Sequence, residues 1–394
     1  MHGVDCFRDT PPVRKAPSED MRLYARKAGG PSEPMFVDGV EQAVKLVSII
    51  VPALHRPDLT ARCLQSLAQQ TISANDYQVI VVENDARPDS ILKDPLPPNV
   101  HRILLEKNYG TTASINFGIA QSSSKYVLLL NNDAELQPQF LATLVGVMEA
   151  EQNFAFTTGK LLRASDTTLL DGAGDALLLG GGAYRLGHAD LDAGQFEKRR
   201  WILAGCGAAT LFRRSVLNET QGLDEDFFAY LDDIDLALYV HQLGYKGCYV
   251  PEAVAYHVGS ATLGNPMHPK VIELVTRNQI YLIIKHYPGS VIGMLLPRIL
   301  VFQVLWFAFV VQHHHLSAYL RGILSAVKSM GRSLRKRTLV MQQRRIENKE
   351  FLNLLRASEK QLFEWQTSRP QGSRSHLLNA YFRIFRPSLA GTFD

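Results

Sequence analysis

Three clusters of polar residues in this chain could do chemistry together. The stretch KYVLLLNNDAEL, residues 125–136, runs from an apolar segment straight into Asn131, Asn132 and Asp133. Two neutral amides beside one carboxylate can bind hydroxyls and a divalent cation, although Asn and Asp also favour plain turns. Residues 222–240, GLDEDFFAYLDDIDLALYV, set six acidic residues among aromatics, and Asp232, Asp233 and Asp235 open an apolar helical pattern. Carboxylates in a first helical turn are stabilised by the helix dipole, so a capped helix accounts for them. Two adjacent aspartates behind an apolar wall also suit a general base, because burial tunes a carboxylate. His257, in VAYHVGS, reads either as a structural histidine or as a neutral imidazole ligand for an Mn²⁺-type ion.

These residues need elements to carry them. LVSIIVP (46–52), YQVIVVEND (77–85), VHRILLEKN (100–108) and YVLLL (126–130) read as strands. PDLTARCLQSLAQQ (57–70) and TTASINFGIAQSS (111–123) read as the helices between them. This alternation predicts an α/β fold with a mostly parallel, Rossmann-like sheet covered on both faces. His55, Glu83-Asn84-Asp85, Asn108 and Asn131-Asn132-Asp133 then all fall at or just past the carboxyl ends of strands, where open α/β sheets bind ligands. The G-x-G-x-x-G and G-x-x-x-x-G-K-[ST] patterns do not occur, which points to a nucleotide held by side chains and a metal. The glycine-rich DGAGDALLLGGGAYRLGH, within 154–200, reads as flexible loops or as a mobile flap over the site.

At 394 residues, 46% hydrophobic and 20% charged, the chain has an ordinary globular composition with room for more than one unit. Its formal charge of +4 is unevenly spread: residues 321–360 hold eleven Lys or Arg against three Asp or Glu. Cys6, Cys63, Cys206 and Cys248 form no C-x-x-C pair, which fits a reducing compartment. Residues 1–44 are rich in Pro, Gly and charge, lack a hydrophobic signal core, and predict a flexible N-terminal arm. A first domain is expected over 45–290 and an α-helical, amphipathic and basic C-terminal region over 291–394.

Within that region, VIGMLLPRILVFQVLWFAFVV (291–311) is apolar but interrupted by Pro297, Arg298 and Gln303, leaving a membrane span and an interfacial helix both open. In the following segment Leu316, Leu320, Ile323, Val327, Met330 and Leu334 share one stripe, with Arg321, Lys328, Arg332 and Arg335 along its flank and Lys336 and Arg337 beyond. An apolar face with a basic flank predicts a peripheral helix on an anionic membrane surface at the cytoplasmic face of the membrane. A helix packed on the first domain with a solvated basic face is the alternative. Nucleic-acid binding is disfavoured, because neither aromatic interleaving nor a recognised motif accompanies the charge.

Taken in order, the motifs resemble the inverting glycosyltransferases of family 2, which have the GT-A fold. The likeness covers roughly 45–287: VSIIVPALHRPD, VIVVENDA, EKNYGTTASINFGI, LLLNNDAEL, GLDEDFFAYLDDIDL, AVAYHVGSAT and TRNQIYLIIKHYP each resemble a family segment. It implies transfer of a sugar from a nucleotide-sugar donor, dTDP- or UDP-linked, to a glycan hydroxyl, with Mn²⁺ or Mg²⁺ as cofactor. Within the family it leans to rhamnosyltransferase-like and galactofuranosyltransferase-like enzymes of cell-surface polysaccharide synthesis, whose acceptor is polyprenyl-diphosphate-linked. It implies Asp233 as the catalytic base, Asp133 and His257 at the metal, and Asp232 and Trp201 on the acceptor side. Pro52, His55, Glu83, Asn84, Asn108, Asn131 and Asn132 would face the donor. His55, Glu83 and Tyr239 depart from the usual Asn, Asp and Arg. A homo-oligomer, a sugar nucleotidylyltransferase on a related fold, and a membrane-associated scaffold with an inactive GT-A domain are the competing expectations.

Overall fold

The computed structural model describes residues 45–93, 95–259, 264, 265 and 267–387, so the expected N-terminal arm and Cys6 lie outside the described residues. The chain opens with β1 (Val47–Ala53), α1 (Pro57–Ala68), β2 (Tyr77–Glu83), β3 (Val100–Leu104), α2 (Thr111–Ala120) and β4 (Tyr126–Leu130). β1, β2 and β4 are buried almost throughout, which is why they read as continuous apolar runs and not as alternating ones. There follow β5 (Ala134–Leu136), α3 (Phe140–Ala150), β6 (Phe154–Arg163), β7 (Asp166–Gly172), β8 (Asp175–Leu177) and β9 (Ala183–Arg185). Then come β10 (Arg200–Ile202), β11 (Ala209–Arg213), α4 (Arg214–Thr220), α5 (Asp232–Gln242) and β12 (Lys246–His257). Five helices complete the chain: α6 (Pro269–His286), α7 (Gly289–Gln312), α8 (Leu316–Gln343), α9 (Asn348–Ser368) and α10 (His376–Ile384).

The main sheet runs β10-β12-β6-β11-β4-β1-β2-β3, with β5 and β7 attached to β12 and β6. Strands β4, β1, β2 and β3 are parallel, whereas β11 lies antiparallel to both its neighbours and β12 returns parallel to β6. The architecture is therefore the GT-A-like mixed α/β sheet, less parallel than expected beyond β4.

The glycine-rich section is neither a loop nor a flap. It forms β7 and the β8–β9 hairpin, and Leu177, Leu178 and Leu179 are buried in the main core. The glycines serve close approach: a Cβ on Gly182 would lie 2.2 Å from the Phe302 ring of α7. Residues 291–387 share that core, with Phe302, Phe351 and Tyr381 packed beside the hairpin leucines. Ser358 Oγ accepts from the Leu177 amide at 2.7 Å, and Glu359 accepts from Leu179 at 3.1 Å and from Arg298 at 2.8 Å.

Helix α8 meets the protein through Ala318, Gly322, Ala326, Ser329 and Ser333, which are buried. Small side chains let it approach α6 so closely that a Cβ on Gly322 would lie 2.6 Å from the Glu273 carbonyl. The apolar stripe faces the other way: Leu316, Leu320, Val327, Met330 and Leu334 are exposed. On α7, Met294, Leu300, Val304 and Phe307 are exposed too, and Phe307 meets Tyr319 edge to face with ring centroids 5.2 Å apart. By length and composition α7 could cross a membrane.

Candidate active site

The parallel half of the sheet brings the ends of β1, β2 and β4 to one edge. Asn84, just past β2, is buried and already engaged: its amide donates to Asn108 Oδ1 at 2.9 Å and its carbonyl accepts from the Tyr109 amide at 2.9 Å. The pair Asn84 and Asn108 thus ties the end of β2 to the loop before α2. Glu83 is buried as well; its Oε1 accepts from the Leu92 amide at 3.0 Å, and burial raises its pKa despite that bond. Pro52 lies near the end of β1, paired with Val82, and His55 follows the strand in the left-handed region at φ 52°, its Nε2 3.0 Å from Asp85. Asn132 donates to Thr60 Oγ1 at 3.0 Å, and the Asn131 amide donates to the Ala208 carbonyl at 2.9 Å. That second bond sets the loop before β11 against the end of β4.

Asp133 and His257 meet at this edge because β12 pairs with β5 in a register that places His257 opposite Ala134. Asp133 Oδ1 stands 3.3 Å from His257 Nε2, and Asp133 Oδ2 accepts from the Gly259 amide at 3.2 Å. Behind them, Asp171 Oδ2 lies 2.8 Å from His257 Nδ1. Burial disfavours the imidazolium, but the two carboxylates outweigh it and hold His257 up at about 9. Burial would likewise raise Asp133, yet His257 keeps its carboxyl below the ordinary range.

As it stands His257 is an imidazolium paired to Asp133; a divalent cation would fit between them by displacing the Nε2 proton, with Asp171 orienting the ring from behind. Among the described residues no group of three or more His, Cys, Asp and Glu is arranged to hold a metal ion. The protein would therefore supply two ligands and leave the others to water and phosphate oxygens, as suits Mg²⁺ or Mn²⁺.

Asp232 and Asp233 open the first turn of α5, where the helix dipole favours them, and Asp233 Oδ1 accepts from the Ile234 amide at 2.8 Å. The N-cap itself is Leu231, which makes no side-chain cap, so the capped-helix reading holds only for the dipole. Asp233 Oδ2 points the other way, 2.8 Å from where a Cβ on Gly207 would stand. A glycine in the loop before β11 leaves that oxygen its room. Asp232 is half-buried; its enclosure and the Asp233 charge beside it push it up to about 7.

The loop leading to Asp232 and Asp233 is strained. Phe228, Tyr230 and Leu231 hold φ values of 65°, 68° and 60°, at a cost of about 1–3 kcal/mol each. Helix α6 maintains it: Asn278 Nδ2 donates to the Phe227, Ala229 and Tyr230 carbonyls at 3.1, 2.9 and 2.7 Å, and Arg277 donates to Phe227 at 2.6 Å. Lys285 reaches Asp224 at 2.8 Å and Asp235 at 2.7 Å, while His286 reaches Asp235 at 2.7 Å. The R-N…K-H-Y-P segment carries these residues, so the motif signalled them although its role was to clamp that loop. Tyr239, in place of the usual Arg, packs beside His286 and hydrogen-bonds Gln343 of α8.

Trp201 lies half-buried beside His241, the ring centroids 5.7 Å apart and the planes tilted by 48°. A rise of 1.5 Å per residue puts His241 about 12 Å along α5 from Asp233. The six basic residues of α8 divide into two groups. Arg321 pairs with Glu273, Arg332 with Asp226, Lys336 with Asp224 and Asp226, and Arg337 donates to the Ile284 and Tyr287 carbonyls. Lys328 and Arg335 are exposed, with no ion pair among the described residues.

Residues 48–220 match the family model described as Glycosyl transferase family 2. The chain is 29% identical over 224 residues to the O-antigen biosynthesis protein RfbC of Myxococcus xanthus, an alignment covering 55% of this chain and 17% of that protein. It is 26% identical over 234 residues to an N-acetylglucosaminyltransferase of Mesorhizobium japonicum, covering 55% of this chain and 52% of that one. A crystal structure of GalNAc-T7 with UDP, GalNAc and Mn²⁺ aligns at a TM-score of 0.49 and 14% identity, over 61% of this chain and 49% of that chain. The chain thus spans about a sixth of the first relative and about half of the second.

Proposed function

We propose that this chain, in which residues 48–220 form a glycosyl transferase family 2 domain, moves a sugar from a nucleotide-sugar donor to a glycan hydroxyl with inversion. The observation that carries the reading is that the Asp133–His257 pair and Asp233 flank one junction, where the Asn131 backbone amide bonds Ala208 beside Gly207, at one edge of the sheet. The strand-end residues Pro52, His55, Glu83, Asn131 and Asn132 border the donor, with Asn84 and Asn108 fixing the loop beside them. Asp133 and His257 would hold a divalent cation, which would supply charge neutralisation for the departing nucleoside diphosphate. Asp233 takes the acceptor proton as the hydroxyl attacks the anomeric carbon from the opposite face, and Asp232 flanks the acceptor. The O-antigen relative supports cell-surface polysaccharide as the setting; the donor is taken as rhamnose, with galactofuranose as the alternative, from the motif likeness alone. Release of nucleoside diphosphate from dTDP-rhamnose or UDP-galactofuranose should depend on Mn²⁺ or Mg²⁺ and fall at least about 100-fold in Asp133→Ala. An undiminished rate in that variant contradicts the metal assignment.

The exposed rows on α7 and α8 support a peripheral position on the cytoplasmic face of a membrane, beside a polyprenyl-linked acceptor. Lys328 and Arg335 stand next to the apolar stripe and complement an anionic surface at about 1 kcal/mol each. The protein should sediment with phosphatidylglycerol vesicles at low salt and lose most of that binding in Lys328→Glu with Arg335→Glu. Failure to bind such vesicles, with dimers forming in solution, would assign the face to a second copy of the chain.

A further inference from the structure

Three residues of the β7–β9 section link the two poles of the site, and the reaction as described uses none of them. Asp171, oriented on His257, accepts from Arg185 Nη1 at 2.9 Å, and Arg185 Nε donates to Asp175 Oδ1 at 3.2 Å. Asp175 lies opposite Arg185 in the β8–β9 hairpin and is pinned by two backbone bonds to Ala204, at 2.9 and 3.2 Å. The Cys206 thiol is 3.8 Å from its Oδ1, and a Cβ on the next residue, Gly207, would stand 2.8 Å from Asp233 Oδ2, so the two carboxyl groups border the same pair of residues. A Cβ on Gly172 would stand 2.5 Å from the Arg185 stem, so the glycine at the end of β7 keeps the path for that guanidinium open.

We infer that Asp175 is the positioning residue of the base: fixed by Arg185, it holds the Asp233 carboxylate through a shared proton and aims it at the acceptor hydroxyl. Two neighbouring carboxyl groups cannot both be ionised cheaply, and burial together with Asp233 pushes Asp175 up to about 7 against the pull of Arg185. Arg185 accounts for one oxygen, and the proton reaches Asp233 from the other side of the group. The chain Asp133–His257–Asp171–Arg185–Asp175–Asp233 then ties the angle of the base to the metal pole.

This inference rests on Asp233 being the base. An asparagine at 175 can turn its carbonyl to Arg185 and donate its amide to Asp233, whereas leucine has a similar size and can do neither. In the full chain, Asp175→Leu should lower kcat for nucleoside diphosphate release about 100-fold, the cost of a misplaced group, with donor KM within about twofold. Asp175→Asn should restore most of that loss, and Asp175→Ala should behave as leucine does if the larger variant does not fold. Infrared difference spectra of wild type against Asp175→Asn at neutral pH should show a protonated carboxyl band only in wild type, with no substrate needed. Asparagine as slow as leucine, a loss confined to KM, or no carboxyl band would overturn the assignment of Asp175. Full activity in Asp233→Asn would instead overturn the reading of the base itself.

Discussion

Asp233→Asn is expected to lose turnover by about 10²–10⁴-fold, the usual contribution of a positioned general base. The amide keeps the size of the side chain, and its oxygen can still accept from the Ile234 amide, so α5 retains its start. It cannot take the acceptor proton. Nucleotide affinity should stay near wild type, because Asp133, His257 and the strand-end residues are untouched. Steady-state rates beside a nucleotide titration separate the two quantities. Retained turnover would mean that the proton leaves by another route and that Asp233 only caps the helix.

The second large effect is structural. Lys285→Met should destabilise the fold by about 3–5 kcal/mol, read from the urea midpoint, because it strands two carboxylates that share one buried ammonium. Lys285 is buried between Asp224 and Asp235, which are themselves 6% and 3% exposed. Burial would push Asp224 up, but Lys285 and Lys336 outweigh it and hold its carboxyl well below the ordinary range. Asp224 starts the one-turn helix that leads into the strained residues before Asp233, so activity should fall with stability. A variant as stable as wild type would show that Lys336 and His286 suffice for the two aspartates.

The residues legible in the sequence share one property: each follows a long apolar run. Asn131, Asn132, Asp133, Glu83 and Asn84 end strands buried on both faces, and such strands announce themselves without any partner. His257 ends a twelve-residue strand and Asp233 opens a helix with an apolar pattern, so both could be placed by position alone. Asp171, Asp175 and Arg185 could not. They sit on strands of seven, three and three residues within a glycine-rich stretch, where local composition says loop. Only the antiparallel register sets Asp175 across from Arg185, and only the packing of α7 and α9 onto the hairpin explains the glycines.

Trp201 is hard to place for a related reason. An aromatic on a short strand carries no mark of which face it will occupy, and β12 and α5 leave it half-buried beside His241. On α8 the sequence predicts both the periodicity of the stripe and its outward facing. What is not visible there is the inner face, which small residues take because two long helices cross closely.

The most direct test of the account is a calorimetric titration of UDP, dTDP and GDP into the purified protein, with and without Mn²⁺ or Mg²⁺, repeated on Asp133→Ala. The account predicts that one nucleotide binds, that binding requires the cation, and that Asp133→Ala abolishes it. No binding of any nucleotide under any metal condition, or binding indifferent to both the cation and Asp133, would contradict it and return Asn131, Asn132 and Asp133 to the role of a polar turn.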